Sequence, residues 1–356
     1  MNVSIIKAIG IDRGFGAVKY YGKGIKGFVD SLVAPINQER AKEIINNNIN
    51  DENVIVIKYN DQYYLVGSYV SSIEPNYAER DLKRDRNGIN EQILFIVGMG
   101  LATEKEEEVN VIVTTGLPTD DYDKYHTEYK EKIENKHNPY VFSLFICGEE
   151  IKKSIKVLLA NIENQPKGTI IANMNEKLKQ KETWGNLNKR RVGVGDIGFN
   201  TTDLSMYVGK DIIKGDKNNF STFAMAQILS DIKKDIEDNN KCQRLFEDDV
   251  LDAIITGEIK IRGKMVDCKK EVQENFEKKA NLLVQEISSK WVNYLDSLDE
   301  LILTGGVVEN KYFLGKLSVL FEEKTGWIVS SPKEPRFANA LGFYLISCSL
   351  MQSIAA

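Results

Sequence analysis

One signature occurs twice, half a chain apart, and it constrains the fold more than anything else in the 356 residues. Near the start the chain reads Ile9-Gly10-Ile11-Asp12-Arg13-Gly14-Phe15, and near the middle Val194-Gly195-Asp196-Ile197-Gly198-Phe199. In both places an apolar run ends in Asp-x-Gly-Phe. In both places a second alternating run follows, Ala17 to Tyr21 and Thr202 to Val208, so each copy predicts a β-hairpin. Similar signatures at this spacing predict two related halves. The residue types suit phosphate chemistry. Glycine lets backbone N–H groups approach phosphate oxygens without a Cβ in the way. An aspartate there repels phosphate directly, and acts instead through Mg²⁺, which keeps several waters and takes one or two carboxylates plus substrate phosphates. The bland reading of one copy is a common turn whose carboxylate caps backbone N–H groups; the pairing favours the functional reading.

Around these hairpins, strands and helices alternate, which predicts α/β layers. Val54 to Tyr59 and Gln62 to Gly67 predict a hairpin turning at Asn60-Asp61. Asn90 to Ala102 predicts a helix, and Val109 to Thr115 a buried strand ending at Gly116-Leu117-Pro118. The charged stretch from Asp120 to Asn135 predicts an exposed helix. Pro166-Lys167-Gly168 is read as a break, with a helix over Thr169 to Gln180 behind it. Phe220 to Asn239 and Cys268 to Leu298 read as helices. Leu301 to Leu303 reads as a strand running into Thr304-Gly305-Gly306, Trp327 to Ser330 as a last strand, and Asn339 to Ser349 as a final helix.

Composition narrows the function classes. Charged residues make up 28% and the apolar set 42%, ordinary for a soluble globular chain. The net charge of −5 argues against coating nucleic acid by bulk electrostatics. Lys189-Arg190-Arg191 reads as a solvated loop end before a strand. Cys147, Cys242, Cys268 and Cys348 share no CxxC spacing and the only histidines are His126 and His137. That disfavours zinc and disulfide frameworks and fits a reducing cytoplasm. No signal peptide is read at the N-terminus. The apolar C-terminal stretch Leu341 to Ala356 carries Gly342, Ser347, Ser349, Gln352 and Ser353, and reads as a buried helix, with no membrane partner.

Two phosphate motifs can be set aside. Gly193-Val194-Gly195-Asp196-Ile197-Gly198 matches GxGxxG, but a dinucleotide site needs a helix next, and Thr202-Asp203-Leu204-Ser205-Met206-Tyr207 alternates like a strand. There is no Walker A motif, since Gly315-Lys316 is followed by Leu317.

The ordered motifs resemble the actin, sugar-kinase and chaperone ATPase superfamily, and more closely its bacterial ParM and Alp plasmid-segregation branch. Gly10 to Lys19 resembles the first phosphate loop, Thr115-Gly116-Leu117-Pro118 the first connecting motif, and Asp196 to Asp203 the second phosphate loop. Thr304-Gly305-Gly306 resembles the adenosine motif, and Phe337-Ala338-Asn339-Ala340-Leu341-Gly342 the second connecting motif. Arg13 and Ala17 depart from the small polar residues usual in the first loop, so fewer hydroxyl contacts to phosphate are expected. The resemblance implies an actin-like, duplicated ribonuclease H-like fold with two lobes around a nucleotide cleft. The lobes are expected at 1–160 with 331–356 and at 161–330.

It implies ATP, or GTP, with Mg²⁺ held through water by Asp12 and Asp196. Gly14, Phe15, Gly16, Lys19, Gly198, Asn200, Thr201, Thr202, Gly305 and Gly306 are the expected nucleotide contacts. Lys19 is as readily a surface lysine on an outer strand, and the threonines as readily β formers. Gln165 is the expected water-orienting residue, with Glu163 the fallback; both compete with a plain loop role. Ser221 to Gln227 and Gly263 to Lys269 are expected to complete the base pocket, and Ala338, Ala340 and Gly342 to pack closely at a hinge. The implied function is a polymerising ATPase whose head-to-tail filaments segregate plasmid or phage DNA through a ParR-type adaptor, with DNA touched only indirectly. The rival readings are a sugar or acid kinase of the same superfamily, and a cell-shape or scaffold actin homologue.

Overall fold

A computed structural model describes residues 6–77, 88–104, 107–213, 215, 218–220 and 224–355. The chain divides into two compact units, Met1–Lys177 with Phe337–Ala356, and Leu178–Arg336.

The first unit opens with β1 (Ile6–Arg13), β2 (Ala17–Gly22), β3 (Ile25–Asp30) and β4 (Val33–Ile36), then α1 (Gln38–Asn47), β5 (Ile55–Tyr59), β6 (Gln62–Val66) and α2 (Tyr69–Ile73). It continues with α3 (Ile89–Ala102), β7 (Glu108–Leu117), α4 (Thr119–Glu134), β8 (Tyr140–Ile146), β9 (Glu149–Asn164) and α5 (Gln165–Lys179). Among the described residues the nine strands form one sheet in the order β3-β2-β1-β7-β9-β8-β5-β6-β4. The β5–β6 hairpin turns at Asn60 and Asp61, both at positive φ, the conformation a two-residue turn needs and these residues tolerate. On one face Ile9, Ile11, Val111 and Val113 pack against Ile93, Ile96, Val97 and Met99 of α3. Burying each such side chain contributes about 1.5–3 kcal/mol.

Some elements differ from the sequence reading. The helix expected from Thr169 begins at Gln165, because Pro166 sits in its first turn, where a missing N–H costs nothing. The highly charged α4 is not wholly exposed; it buries Tyr129 and Ile133 against the sheet core. The β8–β9 hairpin has no counterpart in the sequence reading.

The second unit holds α6 (Trp184–Leu187), β10 (Arg191–Ile197), β11 (Thr202–Val208), β12 (Asp211–Ile212), β13 (Asn218–Phe220), α7 (Met225–Asn240) and α8 (Glu247–Thr256). After these come β14 (Glu258–Ile261), β15 (Lys264–Asp267), α9 (Lys269–Lys290), β16 (Glu300–Thr304), α10 (Lys311–Thr325) and β17 (Val329–Ser330). The main sheet runs β12-β11-β10-β16-β17, with β13 also on β11; β14 and β15 pair alone. Ile197, Leu204, Met206, Leu301 and Leu303 face a core built by α7, α9 and α10. Here α9 stops at Lys290, short of Leu298, and Trp327 precedes β17 rather than opening it. Both form a buried aromatic contact instead: the Trp291 and Trp327 rings lie 6.1 Å apart.

The chain then returns to the first unit with α11 (Ala338–Ala355). By length and apolar composition Pro335–Ile354 is sufficient to cross a membrane. One face of α11 nevertheless lies on the sheet: Ser347 Oγ donates to the Ile9 carbonyl and meets Thr114 Oγ1, both at 2.8 Å. Gly342 packs directly on the Gly168 backbone of α5, where any Cβ would collide. Asn339 Oδ1 accepts from Thr169 N at 3.1 Å and from Thr169 Oγ1 at 2.8 Å. Thus α11 fixes the helix that begins at Gln165.

Candidate functional site

Each unit presents one hairpin of the same design. In the first, Gly14 N–H donates to the Ala17 carbonyl at 3.0 Å; in the second, Gly198 N–H donates to the Thr201 carbonyl at 2.9 Å. These bonds close tips of Phe15-Gly16 and Phe199-Asn200. The register then places Asp12 opposite Lys19 and Asp196 opposite Asp203.

In the first hairpin three expected site residues converge. Asp12 is buried, at 2% exposure. Its Oδ1 accepts from Gln165 Nε2 at 3.0 Å across 153 residues of sequence, and its Oδ2 pairs with Lys19 Nζ at 3.3 Å. The Lys19 ammonium also lies over Gly14, where a Cβ would come within 2.6 Å of it. Gln165 is placed by the end of β9 and by Gly116, whose missing Cβ would come within 2.9 Å of the Gln165 Cα. Ser31 Oγ donates to the Gly14 carbonyl at 2.8 Å and supports the turn from β3. Glu163 is engaged elsewhere: its carboxylate accepts from Asn161 Nδ2 at 3.2 Å and pairs with Lys167 at 3.2 Å. Burial, together with the Glu163 charge, pushes the Tyr122 phenol up.

In the second hairpin the two carboxylates share one face with Thr304, which stands beside Asp196 on β16. Asp196 and Asp203 are 6% and 5% exposed. Thr201 Oγ1 donates to Asp203 Oδ2 at 3.3 Å. Thr202 is fully buried. The carbonyls of Gly198 and Phe199 accept from Met225 and Ala226 N–H, so α7 begins against the hairpin tip. Gly305 has φ 97°, and a Cβ there would strike the Ile197 carbonyl and lie 2.9 Å from Asp196 Oδ1. That position requires glycine for the close approach of β16's end to the carboxylate. Gly306 is more open; a Cβ there would first meet the Arg336 guanidinium, at 3.8 Å, itself paired with Glu309 at 2.7 Å. Thr304 Oγ1 donates to the Pro335 carbonyl at 2.8 Å.

The family model for the N-terminal domain of actin-like proteins matches residues 10–168. The model for the C-terminal domain of archaeal MreB-like actin homologues matches residues 194–310. The chain belongs to the actin-like proteins. No curated protein matches it. Among solved structures it is similar to the 15-stranded ParM filament from Clostridium botulinum, at TM-score 0.77 and 18% identity over 98% of this chain and 100% of that one. It is equally similar to the archaeal actin homologue Ta0583, at TM-score 0.77 and 18% identity over 97% and 99% of the two chains. The same homologue in complex with ADP matches at TM-score 0.72 and 14% identity, over 97% and 99%. The actin-like protein Alp7A matches at TM-score 0.75 and 16% identity, over 99% and 98%.

In this actin-like chain the strand after Gly198 is the antiparallel β11, which removes the GxGxxG reading. Arg13, expected to thin the contacts to phosphate, lies on the opposite face of β1 from Asp12 and is buried. Asp203 was legible: with a turn closed at Gly198 and Thr201, counting outward puts 203 opposite 196. Asn339 lies in the expected second connecting motif, but its pairing with Thr169 has no local sequence signal. Residues 221–223 of the expected base pocket lie outside the described residues. Of the rest, Gly263 turns the β14–β15 hairpin, and Asp267 Oδ1 accepts from Lys269 N at 3.0 Å.

Proposed function

We propose that this actin-like protein is a nucleotide-dependent polymerising ATPase whose filaments segregate plasmid or phage DNA through a ParR-type adaptor. The observation that carries the reading is the hydrogen bond from Gln165 Nε2 to Asp12 Oδ1. It joins the residue suited to orient water to a carboxylate suited to a hydrated cation, from opposite ends of the first unit. With Nε2 committed to Asp12, Gln165 Oε1 is the atom that accepts an O–H from the attacking water.

The donor set suits magnesium. Among the described residues no group of three or more His, Cys, Asp or Glu is placed to enclose a cation alone. Two hairpin carboxylates completed by water and phosphate oxygens match the habits of Mg²⁺. Asp12 and Asp196 would hold it through water, with Asp203 opposite Asp196 adding its charge. When bound, it neutralises charge developing on the transferred phosphoryl group.

The chain's own residues do the rest. Lys19 keeps one donor on Asp12 and directs the others at phosphate oxygens. The N–H groups of Gly14 and Gly198 are committed to closing their turns, so phosphate donors are drawn from the tips at 15–16 and 199–200. Thr201, tied to Asp203, orients that carboxylate. Gly306 gives the nucleoside the more open approach. Filament growth follows if the nucleotide-bound subunit presents a head-to-tail contact that does not close into a ring. Hydrolysis then removes the γ-phosphate contacts and loosens it. The acidic chain would reach DNA through the adaptor. The ParM filament and the ADP complex of similar proteins support this reading.

The test mixes purified protein with Mg-ATP and follows light scattering beside phosphate release. A prompt rise that decays as phosphate appears is expected. No rise, with turnover that depends on an added sugar or acid, would replace the filament reading with a kinase.

A further inference from the structure

We propose that Arg13 is a positioning residue of the first hairpin, holding Asp12 and the Phe15-Gly16 tip from the far face of the sheet with Glu91 as its counter-charge. The inference rests on the reading of that hairpin as a nucleotide site. Arg13 is the last residue of β1, directly after Asp12. Successive strand residues point to opposite faces. Asp12 reaches Gln165 and Lys19; Arg13 enters the core beside α3 and α4. Its side chain is 3% exposed, and Nη1 meets Glu91 Oε2 at 2.7 Å in the first turn of α3. The guanidinium carbon stands 4.5 Å from the Tyr129 ring centroid on α4 and 5.7 Å from that of Phe95 on α3.

A buried ion pair is a poor way to gain stability, because an apolar side chain of similar volume fills such a place at lower desolvation cost. What the guanidinium adds is direction. It is planar, it stacks on an aromatic face while pairing with a carboxylate, and it cannot lose its charge. Rotation of the β1 end that would carry Asp12 away from Gln165 must also pull Arg13 off Glu91 and Tyr129. The two adjacent side chains therefore fix the strand end from both faces, just before the Gly14 turn. Lysine could keep the charge but lacks the planar fork, so it would hold the end less well.

The experiment uses the full chain and the variants Arg13→Met, Arg13→Lys and Glu91→Gln. It measures Mg-ADP affinity, the urea unfolding midpoint, and amide exchange of the 12–18 peptide in nucleotide-free protein. Arg13→Met is expected to weaken Mg-ADP binding about tenfold or more, Arg13→Lys to recover part of it, and Glu91→Gln to weaken it about threefold. In each variant, exchange at 12–18 should rise while exchange across the β5–β6 hairpin stays at the wild-type rate. Lowered midpoints with Mg-ADP affinity within about twofold of wild type and unchanged exchange at 12–18 would reduce Arg13 to a packing role and overturn the proposal. If Arg13→Met does not fold, the other two variants decide on the same readouts. Wild-type protein that binds no Mg-ADP would defeat the nucleotide reading, while exchange at 12–18 would still judge the anchoring.

Discussion

The two hairpins share a turn, a register and an aspartate, and differ in what faces that aspartate. Asp12 is opposite Lys19, a pair of zero net charge; Asp196 is opposite Asp203, a pair of carboxylates. The first is matched within the protein, through the 3.3 Å contact to Lys19 and the 3.0 Å hydrogen bond from Gln165. The second concentrates negative charge in a buried place, where opposite charge nearby is worth most. Repetition of one motif thus places an ammonium opposite the aspartate in one copy and a second carboxylate opposite it in the other. On the proposed reading the first grips phosphate, aligns water and lends Asp12 to the hydrated ion, and the second carries the larger share of the dependence on divalent ions.

That division can be broken by substitutions on either side. The largest effect is expected from Asp196→Ala, which should lower phosphate release about 1,000-fold; turnover near the wild-type rate would remove the second hairpin from the chemistry. Next, Gln165→Ala should slow hydrolysis roughly 100-fold while the light-scattering rise on Mg-ATP addition persists. Equal loss of assembly would mean that Gln165 acts through folding or binding, and unchanged hydrolysis would return the role to Glu163 or another residue. Asp203→Asn should raise the Mg²⁺ concentration needed for half-maximal turnover about tenfold. The smallest effect belongs to the first hairpin: Lys19→Met should weaken ADP binding about fivefold and leave the Mg²⁺ requirement as it was. Should Lys19→Met shift the Mg²⁺ requirement and Asp203→Asn not, the assignment of roles to the two hairpins is reversed.

The sequence showed both hairpins because glycine, alternation and a turn-closing spacing are local signals. The helix at Gln165 was misread for a local reason too, since Pro166 marks a helix start as readily as a break. The β8–β9 hairpin was missed because Tyr140 to Asn164 mixes lysine, glutamate and apolar residues, and only pairing with β5 and β7 makes its strands. In the candidate site, Asp12 and Lys19 could be paired by counting, as could Asp196 and Asp203. The approach of Gln165 to Asp12 could not, since it depends on a parallel crossover and on α11 pressing Gly342 against Gly168. Comparing Arg13 with the small polar residues usual in the loop left out parity: one step along a strand reverses the side chain, so Arg13 faces away from Asp12.

The claim that both hairpins serve one Mg-nucleotide is met most directly by calorimetric titration of Mg-ADP into wild type, Asp12→Ala and Asp196→Ala. The account predicts one site per chain in the wild type, and loss of at least about 1.4 kcal/mol of binding free energy, a tenfold weakening, in each variant. Full-affinity binding after removal of either carboxylate would contradict it.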